Sequence, residues 1–192
     1  MTTAETTSAS LEAKSPFEMR VQLGEKVPDT DVRSALKSGD LGFLHSFTTG
    51  SAVDGPGLRI VAWTTSCMFR CQYCHNPDTW TLKNGIPVPL ERAIREVQKY
   101  AGGLKAMRGG FTLSGGEPLM QDRFAARFLS AVKKMGVHTA IETNGFYGER
   151  LSDDELRDID LIILDMKALT RAQHERVTGL HNDEVLEFCN RL

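Results

Sequence analysis

Apolar and polar residues follow two rhythms along this chain, and the switches between them mark out its elements. Residues 58–65, Leu-Arg-Ile-Val-Ala-Trp-Thr-Thr, form an apolar, β-prone run of strand length. Runs of the same kind recur at 110–114, 137–143 and 161–165. Between them the period lengthens to that of a helix. Leu90, Ile94 and Val97 give one apolar face to a helix expected over 89–100, with Gly102-Gly103 as its stop. Phe124, Phe128, Val132 and Met135 do the same over 121–135, with Gly136 as the stop. Ser152-Asp153-Asp154-Glu155 has the spacing of a capping box and starts a short third helix. A further helix opens near Asp183. A short edge strand is expected at 41–47, and Val53-Asp54-Gly55-Pro56-Gly57 has the composition of a turn.

Four apolar strands separated by helices predict an α/β fold with a parallel sheet covered by helices. Four strands do not close an ordinary barrel, and the chain stops within a helix. A fragment, or a sheet completed by another chain, is the expectation. Residues 1–40, rich in Thr, Ser, Ala and Glu at their start, read as a disordered extension that cannot offset the entropy of ordering. The folded region is then 41–192.

Composition narrows the classes. At 192 residues the chain suits one domain. A net charge of −2 gives no electrostatic footprint for nucleic acid. No apolar run reaches membrane-spanning length and no signal-peptide layout is present, so a reducing cytoplasm is expected.

Three of the four cysteines, Cys67, Cys71 and Cys74, fall within eight residues among polar neighbours. Such a segment wraps around something, either a metal or an iron–sulfur cluster. Three thiolates with His75 could also make a tetrahedral Cys3His zinc site, although His75 directly follows Cys74. A redox pair of Cys71 and Cys74 leaves Cys67 unexplained. Cys189 reads as a small buried hydrophobe.

Each predicted strand ends in polar chemistry. The first leads into the cysteines, the second into Gly115-Gly116-Glu117, the third into Glu142-Thr143-Asn144-Gly145, and the fourth into Asp165-Met166-Lys167. In a parallel sheet these tips share one rim. Each group taken singly is an ordinary turn or a solvated strand end. Their coincidence at successive tips suggests a cofactor site for a zwitterionic ligand.

These residues resemble a known family. Cys-Met-Phe-Arg-Cys-Gln-Tyr-Cys fits the CxxxCxxC signature of the radical S-adenosylmethionine enzymes, and Ser114-Gly115-Gly116-Glu117-Pro118 fits their GGE motif. VDGPG, CHNPDTW, ETNGF and LDMK resemble, more closely, the glycyl-radical activases that act on pyruvate formate-lyase. The resemblance runs from about residue 41 to 192. It implies a partial (β/α)6 barrel, of which about four βα units are present here. It also implies one 4Fe–4S cluster on Cys67, Cys71 and Cys74, with one iron left open to the amino and carboxylate groups of S-adenosylmethionine. Reductive cleavage would then yield methionine and a 5′-deoxyadenosyl radical, which takes hydrogen from a glycine of the partner enzyme.

The resemblance also assigns residues. Gly115 and Gly116 would meet the methionine amino group through backbone, with Glu117 supporting their turn. Tyr73, Cys74 and His75 would line the adenosyl side, and Asp165, Met166 and Lys167 the methionine and ribose. Asp54 would sit near the cluster and the incoming glycine loop. Glu142-Thr143 stands where the activases carry Asp-Thr near a monovalent cation. Relatives that activate other glycyl-radical enzymes insert cysteine-rich modules before GGE. Residues 75–114 lack cysteine, which favours pyruvate formate-lyase as the partner. A monomer served by a flavodoxin or ferredoxin electron donor is expected. An activase acting on another glycyl-radical enzyme or a small molecule, and a non-enzymatic zinc module, are the alternatives.

Overall fold

In the computed structural model, which describes residues 32–192, the apolar runs pair into one six-stranded sheet that does not close. Strands β2 (Arg59–Thr64), β4 (Gly110–Gly115), β5 (His138–Thr143) and β6 (Leu161–Leu164) lie parallel in that order. On the other side of β2, β1 (Leu41–Ser51) pairs antiparallel, and β3 (Ile86–Pro89) pairs antiparallel with β1. The architecture is mixed α/β.

Several expectations need correcting. The run at 41–47 is not an edge strand, because β3 covers it. Pro87 and Pro89 suit β3 to the edge it occupies, where a missing N–H costs no ladder bond. Strand β6 is only half-buried along its length, since among the described residues it pairs with β5 alone. Helix α1 (Val32–Ser38) occupies part of 1–40, and residues 1–31 lie outside the described residues.

Helix α2 (Leu90–Gln98) ends before Gly102-Gly103. Those glycines instead lie inside α3 (Ala101–Ala106), which buried Ala101 and Leu104 anchor to the core. Packing here overrides the poor helix propensity of glycine. Helix α4 (Asp122–Lys134) buries Phe124, Phe128 and Val132. Helix α5 (Asp153–Arg157) carries the capping box foreseen at Ser152 and Glu155. Helix α6 (Arg171–Thr178) gave no apolar signal, because the residues it buries are His174 and Thr178. Helix α7 (Asp183–Arg191) follows. No described helix is long and apolar enough to cross a membrane.

The parallel strands have two unlike faces, set by the two-residue period of a strand. Ile60, Ala62, Phe111, Leu113 and Ile141 join Val97, Phe124, Phe128 and Leu129 in the main core. The alternate positions are Arg59, Val61 and Trp63 on β2, Thr112 and Ser114 on β4, and His138, Ala140 and Glu142 on β5. A parallel sheet is ordinarily apolar on both faces. This one turns a largely polar face away from its core.

Candidate metal centre

The strand tips and the polar sheet face open on one cavity of about 460 Å³, lined by Cys67, Cys71 and Cys74 among others. A small-molecule site has this size.

The loop bearing the thiols is held by backbone. Ser66, in the left-handed region at φ 79°, turns the chain out of β2. Its N–H donates to Thr79 (2.7 Å) and that of Cys67 to Trp80 (3.2 Å). The far side hangs on the last turn of α6. Arg70 N–H donates to the Thr178 carbonyl (2.8 Å) and Gln72 N–H to that of Val177 (3.0 Å). The Gln72 amide donates to Arg176 (3.1 Å). Carbonyls in a last helical turn lack helical partners, and the cysteine loop supplies donors to them. Phe69 is the anchor of the loop, 1% exposed. Its ring meets Phe146 and His174 edge-on, with centroids 5.6 and 5.1 Å away.

Burial pushes the Cys67 thiol up to about 12. Burial also raises Cys71, with Lys167 opposing it. Such thiols are protonated at neutral pH unless a cationic centre ionises them. The amide of Asn144 points a donor at sulfur, 4.0 Å from Cys67 Sγ and 3.5 Å from Met68 Sδ. No group of three or more His, Cys, Asp or Glu side chains among the described residues converges enough to hold one ion. Three thiols lining one cavity with an amide donor near two of the loop's sulfurs fit the donor set of a cluster with an open corner.

Beside the loop stands the tip of β4. Gly115 has φ 115°, and a Cβ there would lie 2.3 Å from Thr64 N. A Cβ on Gly116 would lie 2.4 Å from the Ser66 carbonyl. Gly116 N–H donates to Thr64 (2.9 Å) and Glu117 N–H to Ser66 (2.8 Å). This close stitching leaves backbone facing the cavity. Gly116→Ala is therefore expected to cost roughly 1–3 kcal/mol, read as a lower midpoint in urea unfolding. An unchanged midpoint would show that the tip can move aside.

Glu117 does not line the cavity. It is fully buried beneath, where it accepts from Leu119 N–H (2.9 Å), Thr143 Oγ1 (2.7 Å) and Asn144 N–H (2.8 Å). It thereby ties the β4 tip to that of β5. Burial raises its carboxyl to about 6 despite those three donors.

The remaining candidates divide. Asp54, Tyr73, His75, Glu142, Thr143, Asp165 and Lys167 all line the cavity. Met166 does not. Glu142 accepts from Ser114 Oγ (2.5 Å), and Asp54 accepts from Ser51 Oγ. The Lys167 ammonium donates to the Asp165 carboxylate. It also lies 5.8 Å from the centre of the Tyr73 ring. Burial works against the Lys167 charge, but the bond and charge of Asp165 prevail and raise its pKa. Cys189 is exposed on α7, not buried, because its helix turns Val185 and Phe188 inward instead.

Trp63, Ser114 and Asn144 also line the cavity; the sequence placed Ser114 and Asn144 only within strand-tip motifs, with no role of their own, and gave Trp63 none. Trp63, Ser114 and Glu142 fall on alternate strand positions of the polar face, and reading that alternation would have found them together.

A family model described as a 4Fe-4S single cluster domain matches residues 53–184. The pyruvate formate-lyase 1-activating enzyme of Escherichia coli K12 is 39% identical over 154 residues, which cover 79% of this chain and 63% of that protein. The pyruvate formate-lyase-activating enzyme of Staphylococcus aureus USA300 is 37% identical over 158 residues, again 79% and 63%. The chain thus spans less than two thirds of the length of these curated relatives. A solved structure of TYW1 with a lysine-pyruvate adduct aligns at 20% identity and a TM-score of 0.36, over 68% of this chain and 48% of that one. A likeness at that score carries no weight.

Proposed function

We propose that this chain, which belongs to the 4Fe-4S single cluster domain family, is the core of a radical S-adenosylmethionine activase that installs a glycyl radical in pyruvate formate-lyase. The observation that carries this reading is the meeting, in one cavity, of three spaced thiols and a bare-backbone double-glycine tip. The names of the relatives above support the choice of partner. Parallel β2, β4, β5 and β6 with a polar inner face support the further reading of a partial (β/α)6 barrel.

A 4Fe–4S cluster held there would supply the electron for reductive cleavage of S-adenosylmethionine. The protein's part is to bind, orient and shield. Cys67, Cys71 and Cys74 hold the cluster. Gly115 and Gly116 present backbone to the methionine end, and Asp165 with Lys167 offers a matched charge pair to a zwitterion. Tyr73 and His75 flank the adenosyl side, and Asp54 borders the place for the incoming glycine. A Glu142-Thr143 cation site belongs to the same proposal. Phe69 keeps the loop rigid from behind. No general base is needed, because a hydrogen atom, not a proton, leaves the glycine. A flavodoxin or ferredoxin would serve as reductant to a monomeric activase in the cytoplasm.

The test is anaerobic reconstitution followed by incubation with pyruvate formate-lyase, S-adenosylmethionine and reductant. An EPR doublet from a glycyl radical, dependent on all three, is the expected result. Uptake of zinc with no iron would sink the reading.

A further inference from the structure

Arg59 is the largest fully buried side chain, 0% exposed, at the start of β2. A buried guanidinium persists only when its donors are met. Here they are met by neutral groups. Nε donates to Thr112 Oγ1 (2.6 Å), Nη1 to the Pro56 carbonyl (3.0 Å), and Nη2 to the carbonyls of Phe111 (2.6 Å) and His138 (3.4 Å). Nη1 also lies 3.3 Å from His138 Nδ1. Thr112 passes the chain of bonds on, because its hydroxyl donates to the carbonyl of Asp54 (2.7 Å).

Two glycines, one in the turn and one at the start of β4, fit this arrangement. Gly55 has φ 127°, and a Cβ on it would come within 2.9 Å of Arg59 Cδ and Nε. A Cβ on Gly110 would lie 2.5 Å from Arg59 Nη1. The 51–57 segment is thus laid directly on the guanidinium. Two of its carbonyls, those of Asp54 and Pro56, are held by the Arg59–Thr112 pair, and the side chain of Asp54 lines the cavity.

We propose that Arg59 and Thr112 are positioning residues that clamp the 51–57 segment and so fix Asp54 at the cavity. The proposal rests on reading that cavity as the reaction chamber. Neither residue touches the reacting atoms, so any effect on the reaction passes through the placement of Asp54.

Thr112→Val keeps shape and removes the hydroxyl, whereas Thr112→Ser keeps it. Native-state digestion with thermolysin, which cuts before apolar residues such as Val53 and Leu58, reads the segment directly. Thr112→Val is expected to speed cleavage there roughly tenfold, the scale of a lost net hydrogen bond. Thr112→Ser should cleave like wild type, as should the core variant Val132→Ala, which destabilises without touching the clamp. Equal cleavage in Thr112→Val and Val132→Ala overturns the proposal. Should Thr112→Val fail to fold, Arg59→Lys, which keeps charge and loses the fork, takes its place in the same comparison.

The second arm is a double-mutant cycle on glycyl-radical yield. Thr112→Val is expected to lower the yield and raise KM for the partner enzyme, with no further loss in an Asp54→Ala background. Additive losses would mean that Thr112 acts independently of Asp54, contrary to the proposal. If the wild type forms no glycyl radical, the functional reading fails while the digestion still decides the clamp.

Discussion

Alanine at any one of Cys67, Cys71 or Cys74 is expected to abolish retention of iron and the visible absorbance of the reconstituted protein. Cys189→Ala should leave both at wild-type levels. A cluster held by three thiolates would already leave one iron without a protein ligand, so loss of any one of the three would expose two corners to solvent and chelator. The pKa shifts sharpen the expectation. The Cys67 thiol, pushed up to about 12 by burial, must release its proton when metal binds, so loading is favoured by higher pH. In the metal-free protein the sign reverses. A raised thiol pKa contributes stability that is complete below its ordinary value of 9.0 and is lost as pH rises through about 12. Iron assay after gel filtration decides the matter. Full retention in Cys71→Ala would remove that residue from the ligand set.

Loss of the Glu117 carboxylate should have the next largest effect, and on the fold rather than the metal ligands. Glu117→Ala leaves two buried backbone N–H groups and the Thr143 hydroxyl without their acceptor. At about 1–3 kcal/mol for each orphaned group, partly relieved by relaxation, the cost is roughly 3–5 kcal/mol in urea unfolding. The same carboxyl predicts a pH dependence. Its folded pKa is about 6, above the ordinary 4.5. The folded state therefore binds its proton first, and stability falls as pH rises from 4.5 to about 6. The full difference is about 2 kcal/mol. Glu117→Gln should flatten that slope, and it should cost some stability of its own, since the amide oxygen can replace only one carboxylate oxygen and the NH2, a donor, leaves an N–H such as that of Asn144 without an acceptor. A slope that persists in Glu117→Gln would assign it to another group.

The two unlike faces of the sheet explain what was legible and what was not. Apolar period located β2, β4, β5, α2 and α4 because their apolar residues bury largely where their spacing says they should, and it located β6 although that strand is only half-buried. Strand β3 escaped, since Ile-Pro-Val-Pro has no strand pattern of its own and exists by pairing with β1. Helix α6 escaped because its buried side chains are a histidine and a threonine. Yet α6 is what the cysteine loop hangs from, through carbonyls that no side-chain pattern encodes.

By itself, then, the sequence determined the local chemistry: three thiols at one spacing, paired glycines at a strand tip, and carboxylates at the neighbouring tips. These are covalent facts, fixed by residue type and order. Only the tertiary structure decided which of them face the cavity. Glu117 turned beneath it and Met166 away, while Trp63, Ser114 and Asn144 turned in. The physical reason is that facing is set by strand register and by which buried polar groups find partners, and both are settled between elements far apart in the chain. Arg59 shows this most clearly. It reads as one more polar residue in an apolar run, and only the folded sheet, by surrounding it with the carbonyls of Pro56, Phe111 and His138, makes it the clamp of the segment that carries Asp54.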